Sequence, residues 1–181
     1  MANPTQNDID VAVRAFVALA SGLDSSLVIP GNDPHPSPSV PYASVLEITE
    51  IGNGIDSEID TPGLTPETKI LKNVGSRTIL YSVNFYKAGA ADFIKNLLSF
   101  PSTTPGQIFL AQNNLTWSKA GSVRRLDSEM GSKFEERRQV DIELKYQSRR
   151  EVGINSIGSV DIELDLSAEI DYTELIEVTD A

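Results

Sequence analysis

The chain has no cysteine and a single histidine, His35. The first absence excludes disulfides, thiolate metal sites and cysteine nucleophiles together. The second excludes multi-histidine metal sites and leaves a Ser-His-Asp triad only one possible centre. Cations are also scarce: 15 Lys+Arg stand against 26 Asp+Glu, for a net charge of −11. Clamping nucleic acid needs Lys and Arg to neutralise phosphates, so this balance argues against a nucleic-acid binder. A long apolar run is missing too. The longest, around Val11 to Ala20, is interrupted by Arg14 and is too short to span a bilayer. Met1-Ala2-Asn3-Pro4 has no basic start and no apolar core, so no signal peptide is read there. The expectation is a soluble protein made in a cytoplasm, with no membrane partner.

What remains is ordinary globular material. A length of 181 residues predicts one domain over residues 1–181. A chain of this size buries about 70% of its unfolded surface, enough for one core.

Helical spacing appears first at Ile9, Val13, Phe16 and Ala20. Thr5 and Asp8 form a cap pattern ahead of it, and Gly22 is a natural stop. The opposite face carries Val11, Ala15, Ala18 and Leu19. A helix apolar nearly all round is buried on more than one side, and one of those sides could be another subunit. Residues 30–41 hold five prolines and read as an extended loop or arm. Tyr42 to Ile51 reads as a strand, followed by a polar excursion from Gly52 to Gly63. Thr68 to Val74 resumes as a strand with a turn at Gly75-Ser76. Arg77 to Tyr86 alternates strictly, and a hairpin is predicted. A second helix spans Ala90 to Phe100, stopped by Pro101. Thr104-Pro105-Gly106-Gln107 predicts a third, capped at Thr104. Short strands are expected at Leu115 to Ser118 and Val123 to Leu126. The strongest strand is Phe134 to Gln147, apolar at Val140, Ile142, Leu144 and Tyr146 on one face only. Val-Asp-Ile-Glu-Leu recurs at 140–144 and 160–164, which reads as two strands written in one amphipathic alphabet.

Charge is polarised along the chain. Lys119 to Glu151 holds nine basic and seven acidic residues, so it is net +2 and the remainder carries −13. Ser159 to Ala181 holds eight acids and no base, and 167–181 reads as an acidic tail. Two readings stay open: a solvated face, or head-to-tail contacts between copies, with arginines of one meeting carboxylates of the next. The candidate interface residues are Arg124, Arg125, Arg137, Arg138, Arg149 and Arg150. Asp161, Glu163 and Asp165 are candidate lumen or partner-facing acids. Lining a ring with carboxylates would let a polyanion pass without sticking.

Motifs for chemistry are missing. There is no Gly-x-x-x-x-Gly-Lys-Ser/Thr, no Gly-x-Gly-x-x-Gly and no His-Glu-x-x-His. His35 sits among prolines with no persuasive orienting partner. Asp56, Glu58, Asp60 and Glu67 mimic a calcium loop, but Thr61 stands where the sharp turn needs Gly. They read as a solvated acidic loop. Abundant acids leave a carboxylate-based hydrolase or a small soluble binding module as alternatives. No catalytic residue, cofactor or metal is predicted.

The combined pattern resembles the tail-terminator (neck terminator) proteins of contractile and related long-tailed phages. The resemblance rests on the N-terminal helix followed by Leu27-Val28-Ile29-Pro30-Gly31-Asn32-Asp33. It continues through the proline-rich stretch ending Pro41-Tyr42-Ala43-Ser44-Val45. Later come a helix, a polar hairpin around Trp117 to Leu126 and the strand Arg138 to Tyr146. It covers residues 5 to about 148. It implies an α+β fold, with a mainly antiparallel β-sheet flanked by two or three helices and a proline-rich extended loop. It also implies a non-enzymatic virion protein at the tail–neck junction, assembled in the host cytoplasm. The implied assembly is a homohexameric ring that caps the tail tube and joins the tail to the neck connector. Its implied partners are further copies of itself, the tail tube protein, the neck or connector protein and the tail sheath, with DNA passing through the lumen. Another neck or tail-tube component is the alternative within that class.

Overall fold

A computed structural model describes residues 6–32, 37–62, 68–130 and 133–155. Pro4, Thr5, His35, Glu67, the second Val-Asp-Ile-Glu-Leu and the acids Asp161, Glu163 and Asp165 lie outside them. The fold is α+β: three helices cover one face of a mostly antiparallel six-stranded sheet.

Helix α1 (Gln6–Ser21) buries Ile9, Val13, Phe16 and Ala20, the residues its spacing selects. Gly22 ends it with φ +77°, and its N–H donates to the Ala18 carbonyl. Helix α2 (Ala90–Ser99) buries Ala90, Ile94 and Leu97. A 3-10 turn at Phe100–Ser102 leads into α3 (Thr104–Gln112). The cap of α3 is Thr103, one residue before the expected Thr104. Its hydroxyl accepts from the Gly106 N–H at 3.2 Å and donates to the Phe100 carbonyl at 2.7 Å. One side chain thereby closes both the 3-10 turn and the helix. Gly106 has no alternative, because a Cβ there would stand 2.1 Å from the Phe100 carbonyl oxygen.

The strands are β1 (Val28–Pro30), β2 (Tyr42–Pro62), β3 (Thr68–Tyr86), β4 (Leu115–Ala120), β5 (Arg124–Arg125), β6 (Ser128–Met130), β7 (Lys133–Glu135) and β8 (Arg137–Asn155). The sheet runs β1-β2-β3-β8-β4, with β5 also on β8, and β6 and β7 form a separate hairpin. Among the described strands only β1 with β2 is parallel.

Two expected breaks are absent. The excursion from Gly52 to Gly63 is strand through Pro62, and the Gly75-Ser76 turn lies inside β3. The excursion is instead a bulge between Asn53 and Ser57, where Gly54 takes φ +80°. At Gly75 the missing side chain makes room: a Cβ would stand 2.0 Å from Asp56 Oδ1. Asp56 reaches across because Arg77 Nη2 donates to its Oδ2 at 2.6 Å. The acids Asp56, Glu58 and Asp60 therefore belong to a strand rather than to a loop.

Alternation along β3 sets the layers. Ile79, Tyr81, Val83 and Phe85 are all buried under the helices, with Val45 of β2 and Val140, Ile142 and Leu144 of β8 beside them. Phe16 fills the centre: its ring lies 5.5 Å from Phe100, 5.8 Å from Phe109 and 6.0 Å from Trp117. Trp117 thus gains a structural role.

Beyond Arg77, β2, β3 and β8 continue together as a three-stranded arm. Glu58, Asn73 and Arg150 are level across it. Among the described side chains, the buried apolar residues of β3 and β8 stop at Ile79 and Leu144, short of this arm.

Phe16→Ala empties the centre of the aromatic cluster, and a loss of about 3–5 kcal/mol is expected. Leu19→Ala, at a position 53% exposed on the same helix, should cost less than about 0.5 kcal/mol. Urea unfolding measures both as midpoint shifts at unchanged slope.

Candidate functional site

The sheet face away from the helices is polar by the same alternation. Ser44, Ser82 and Asn84 are buried on it. Gln139 Nε2 donates to Ser82 Oγ at 2.7 Å, and Arg137 Nη2 donates to Asn84 Oδ1 at 3.0 Å. Arg137 also lies over the Tyr86 ring, 5.1 Å from its centroid, and Tyr86 stacks on Tyr42 at 4.4 Å. A ladder of small and amide side chains stiffens this face without an apolar layer.

Charged groups extend the ladder outward. Glu143 accepts from Ser118 Oγ at 2.8 Å and lies 3.1 Å from Lys119 Nζ. Those hydrogen bonds, Ser118 first, hold its carboxyl below the usual glutamate range. Arg124 Nη2 donates to Asp141 Oδ2 at 3.2 Å.

Asp127 is the hub. Its side chain is 7% exposed and accepts from Arg125, from Arg138 and from the Arg137 backbone N–H. Burial pushes its pKa up, but the three donors and the Arg125 charge outweigh that and leave it lowered. Arg138 also reaches Glu136 at 3.2 Å. Asp127 and Glu136 were not singled out from sequence. The available signal was the reversal of charge within Arg124-Arg125-Leu126-Asp127 and within Glu135-Glu136-Arg137-Arg138.

The six arginines thus divide. Arg124, Arg125, Arg137 and Arg138 come together around Asp127, Asp141 and Asn84 of their own chain. Arg124 and Arg125 still leave 59% and 72% of their side chains exposed. Arg149 sits apart on the arm, donating to Gln147 Oε1 at 2.8 Å, and Arg150 follows it on β8.

Two further surfaces stand out. Val11 and Leu19, half exposed, flank Ala15 along the outer side of α1. Near its first half lies a cleft of about 520 Å³ lined by Asp10, Arg14, Asn32, Glu47 and Tyr81, among others. Tyr81 donates to Asp10 Oδ1 at 2.6 Å. Burial, then that bond and the Asp10 charge, raise the Tyr81 pKa far above its ordinary value. The tyrosine keeps its proton and the carboxylate is occupied in accepting it. That arrangement suits positioning rather than general acid–base work. No group of three or more His, Cys, Asp or Glu able to hold a metal occurs among the described residues. None of their helices is long and apolar enough to cross a membrane.

A sheet covered on one face, ion-paired on the other and extended into an arm presents surfaces for protein contact. These features define an α+β protein. A family model for the phage neck terminator protein matches residues 7–168, and the chain belongs to that family. Membership makes it a structural component of the virion that associates with other tail or neck proteins. No curated protein matches the chain.

Because the Asp127 pKa is lowered on folding, its stabilisation is complete above the ordinary aspartate value and fades as pH falls through the folded value. Asp127→Asn should therefore flatten the acid limb of the stability curve below about pH 4. Urea midpoints of both proteins across pH 2–7, about one unit apart, measure it.

Proposed function

We propose that the chain forms a ring, six copies in the first instance, that caps the tail tube and joins the tail to the head-side connector. The observation that carries this reading is the family match over residues 7–168. In this reading the chain acts as one terminator-like domain, and DNA passes through the ring without being bound. The net charge of −11 supports that passage, since like charge disfavours adhesion. Asp161, Glu163 and Asp165 are the acids proposed to face the lumen or a partner.

Mechanism here is surface matching. One face of the ring stacks on the last tube layer and the other accepts the neck, with tail sheath as a further neighbour. Arg124, Arg125 and Arg149 are exposed and are the arginines best placed to reach a second chain. Arg137 and Arg138, held by Asn84 and by Asp127, would act by fixing the shape of that surface. Arg150 is proposed as a contact from its place beside Arg149. The half-exposed Val11 and Leu19 supply apolar area to a neighbour.

Purified protein is expected to pass from monomer to ring as concentration rises or tail tubes are added. Light scattering gives the mass, and negative-stain images show decorated tube ends. Protein that stays monomeric and never decorates a tube end would refute the ring. If arginine–carboxylate pairs hold the ring, raising salt from about 0.1 M to about 1 M should shift it toward monomer, because screening shortens from about 10 Å to about 3 Å. A ring insensitive to salt would assign the contact to the apolar side of α1.

A further inference from the structure

Among the described residues, the arm formed by β2, β3 and β8 has two edges without a strand partner. On its outer side β2 pairs with β1 only at Ala43, Ser44 and Val45. From Leu46 to Pro62 that side has no strand partner among the described residues. On β8 the outer side pairs with β5 at Arg138 and Gln139 and with β4 from Ile142 to Tyr146. From Gln147 to Asn155 it too has none. Edges of this length offer rows of backbone donors and acceptors to another chain. Ile51, Ile55 and Ile59 on β2 are 57%, 98% and 47% exposed, so the arm also carries apolar area that a neighbour would cover.

Their charges are opposite. Leu46 to Pro62 contains Glu47, Glu50, Asp56, Glu58 and Asp60 and no base. Gln147 to Asn155 contains Arg149 and Arg150 against Glu151 alone. Facing β2 with a second β2 would align like charges, and so would β8 with β8; each costs free energy across a strand pair. Facing β2 with β8 aligns opposite ones.

We infer that the arms of neighbouring copies join edge to edge, β8 of one copy against β2 of the next. This deepens the ring reading and rests on it. The direction of the junction follows from topology. Both β2 and β8 are antiparallel to β3, so they run the same way. Rotation about a ring axis keeps that direction, and the new pair is parallel. The contact is heterologous, so it propagates until the ring closes. Six arms joined in this way, at about 4.8 Å between strands and about 40° of tilt, enclose a wall ~36 Å across. Barrels of about 18 strands leave a water-filled channel.

The absence of cysteine makes a clean test possible. Glu58→Cys and Arg150→Cys are placed singly, together in one chain, and scanned one residue to either side for stagger. Within one chain these positions are separated by β3, two strand spacings or about 9.6 Å, beyond the roughly 7 Å that a disulfide tolerates. Any bond between β2 and β8 is therefore intermolecular. The expected result is a ladder of covalent oligomers from the double variants and none from the single ones. As a second arm, Arg149→Glu with Arg150→Glu should abolish assembly, and adding Glu58→Arg with Asp60→Arg should restore it. Cross-linking by single variants would make an edge self-pairing. A complete ring that gives no cross-link at any scanned pair would put another segment of this chain, or another protein, on the edges. Either result overturns the inference, the second while leaving the ring intact. Protein that never assembles overturns both.

Discussion

Everything in this fold depends on the alternation of β3. Ile79, Tyr81, Val83 and Phe85 must all reach one side, because Phe16 and the helices supply a dry layer only there. A slip of one residue would put Leu80, Ser82 and Asn84 into that layer, so register is tightly specified. The same alternation forces the other side to be polar. That side is satisfied by hydrogen bonds between neighbouring strands, with Gln139 to Ser82 and Arg137 to Asn84 joining β8 to β3. The two faces of the sheet are thus stabilised by different physics, dispersion and desolvation on one and paired dipoles and charges on the other.

Asp127 shows how the polar side is held at its edge. A carboxylate that is nearly buried would be costly alone. Two guanidinium groups and a backbone N–H converge on it and make the site favourable. The result fixes the short strand β5 against the start of β8. It also spends much of the arginines' hydrogen-bonding capacity inside the chain, so an arginine count alone overstates what this surface can offer a partner.

Much of the helical layer was legible from residue spacing. The buried stripe of α1, the stop at Gly22 and the stripe of α2 are local features with local causes. The alternation of β3 and β8 was equally plain. The glycines misled. Gly52, Gly54 and Gly75 carry the composition of turns, yet they lie within strands, one at a bulge and one where Asp56 crosses to reach Arg77. That crossing joins positions 21 residues apart. No short-range pattern encodes it, and so the arm was invisible as a continuous element. The candidate arginines were visible as a cluster, but their partners were not. Asp127 becomes their hub only once β5 and β8 are side by side. Trp117 is similar: only the fold brings it to Phe16.

The three strands that the arm shows among the described residues have a consequence of their own. With three strands, the two outer ones point the same way along the arm. The arm therefore has a head and a tail that its lateral repetition cannot cancel. An assembly built from it by rotation inherits that polarity, and its two ends are chemically unlike. Copies of a single gene product related by rotation can in this way offer unlike surfaces to unlike neighbours.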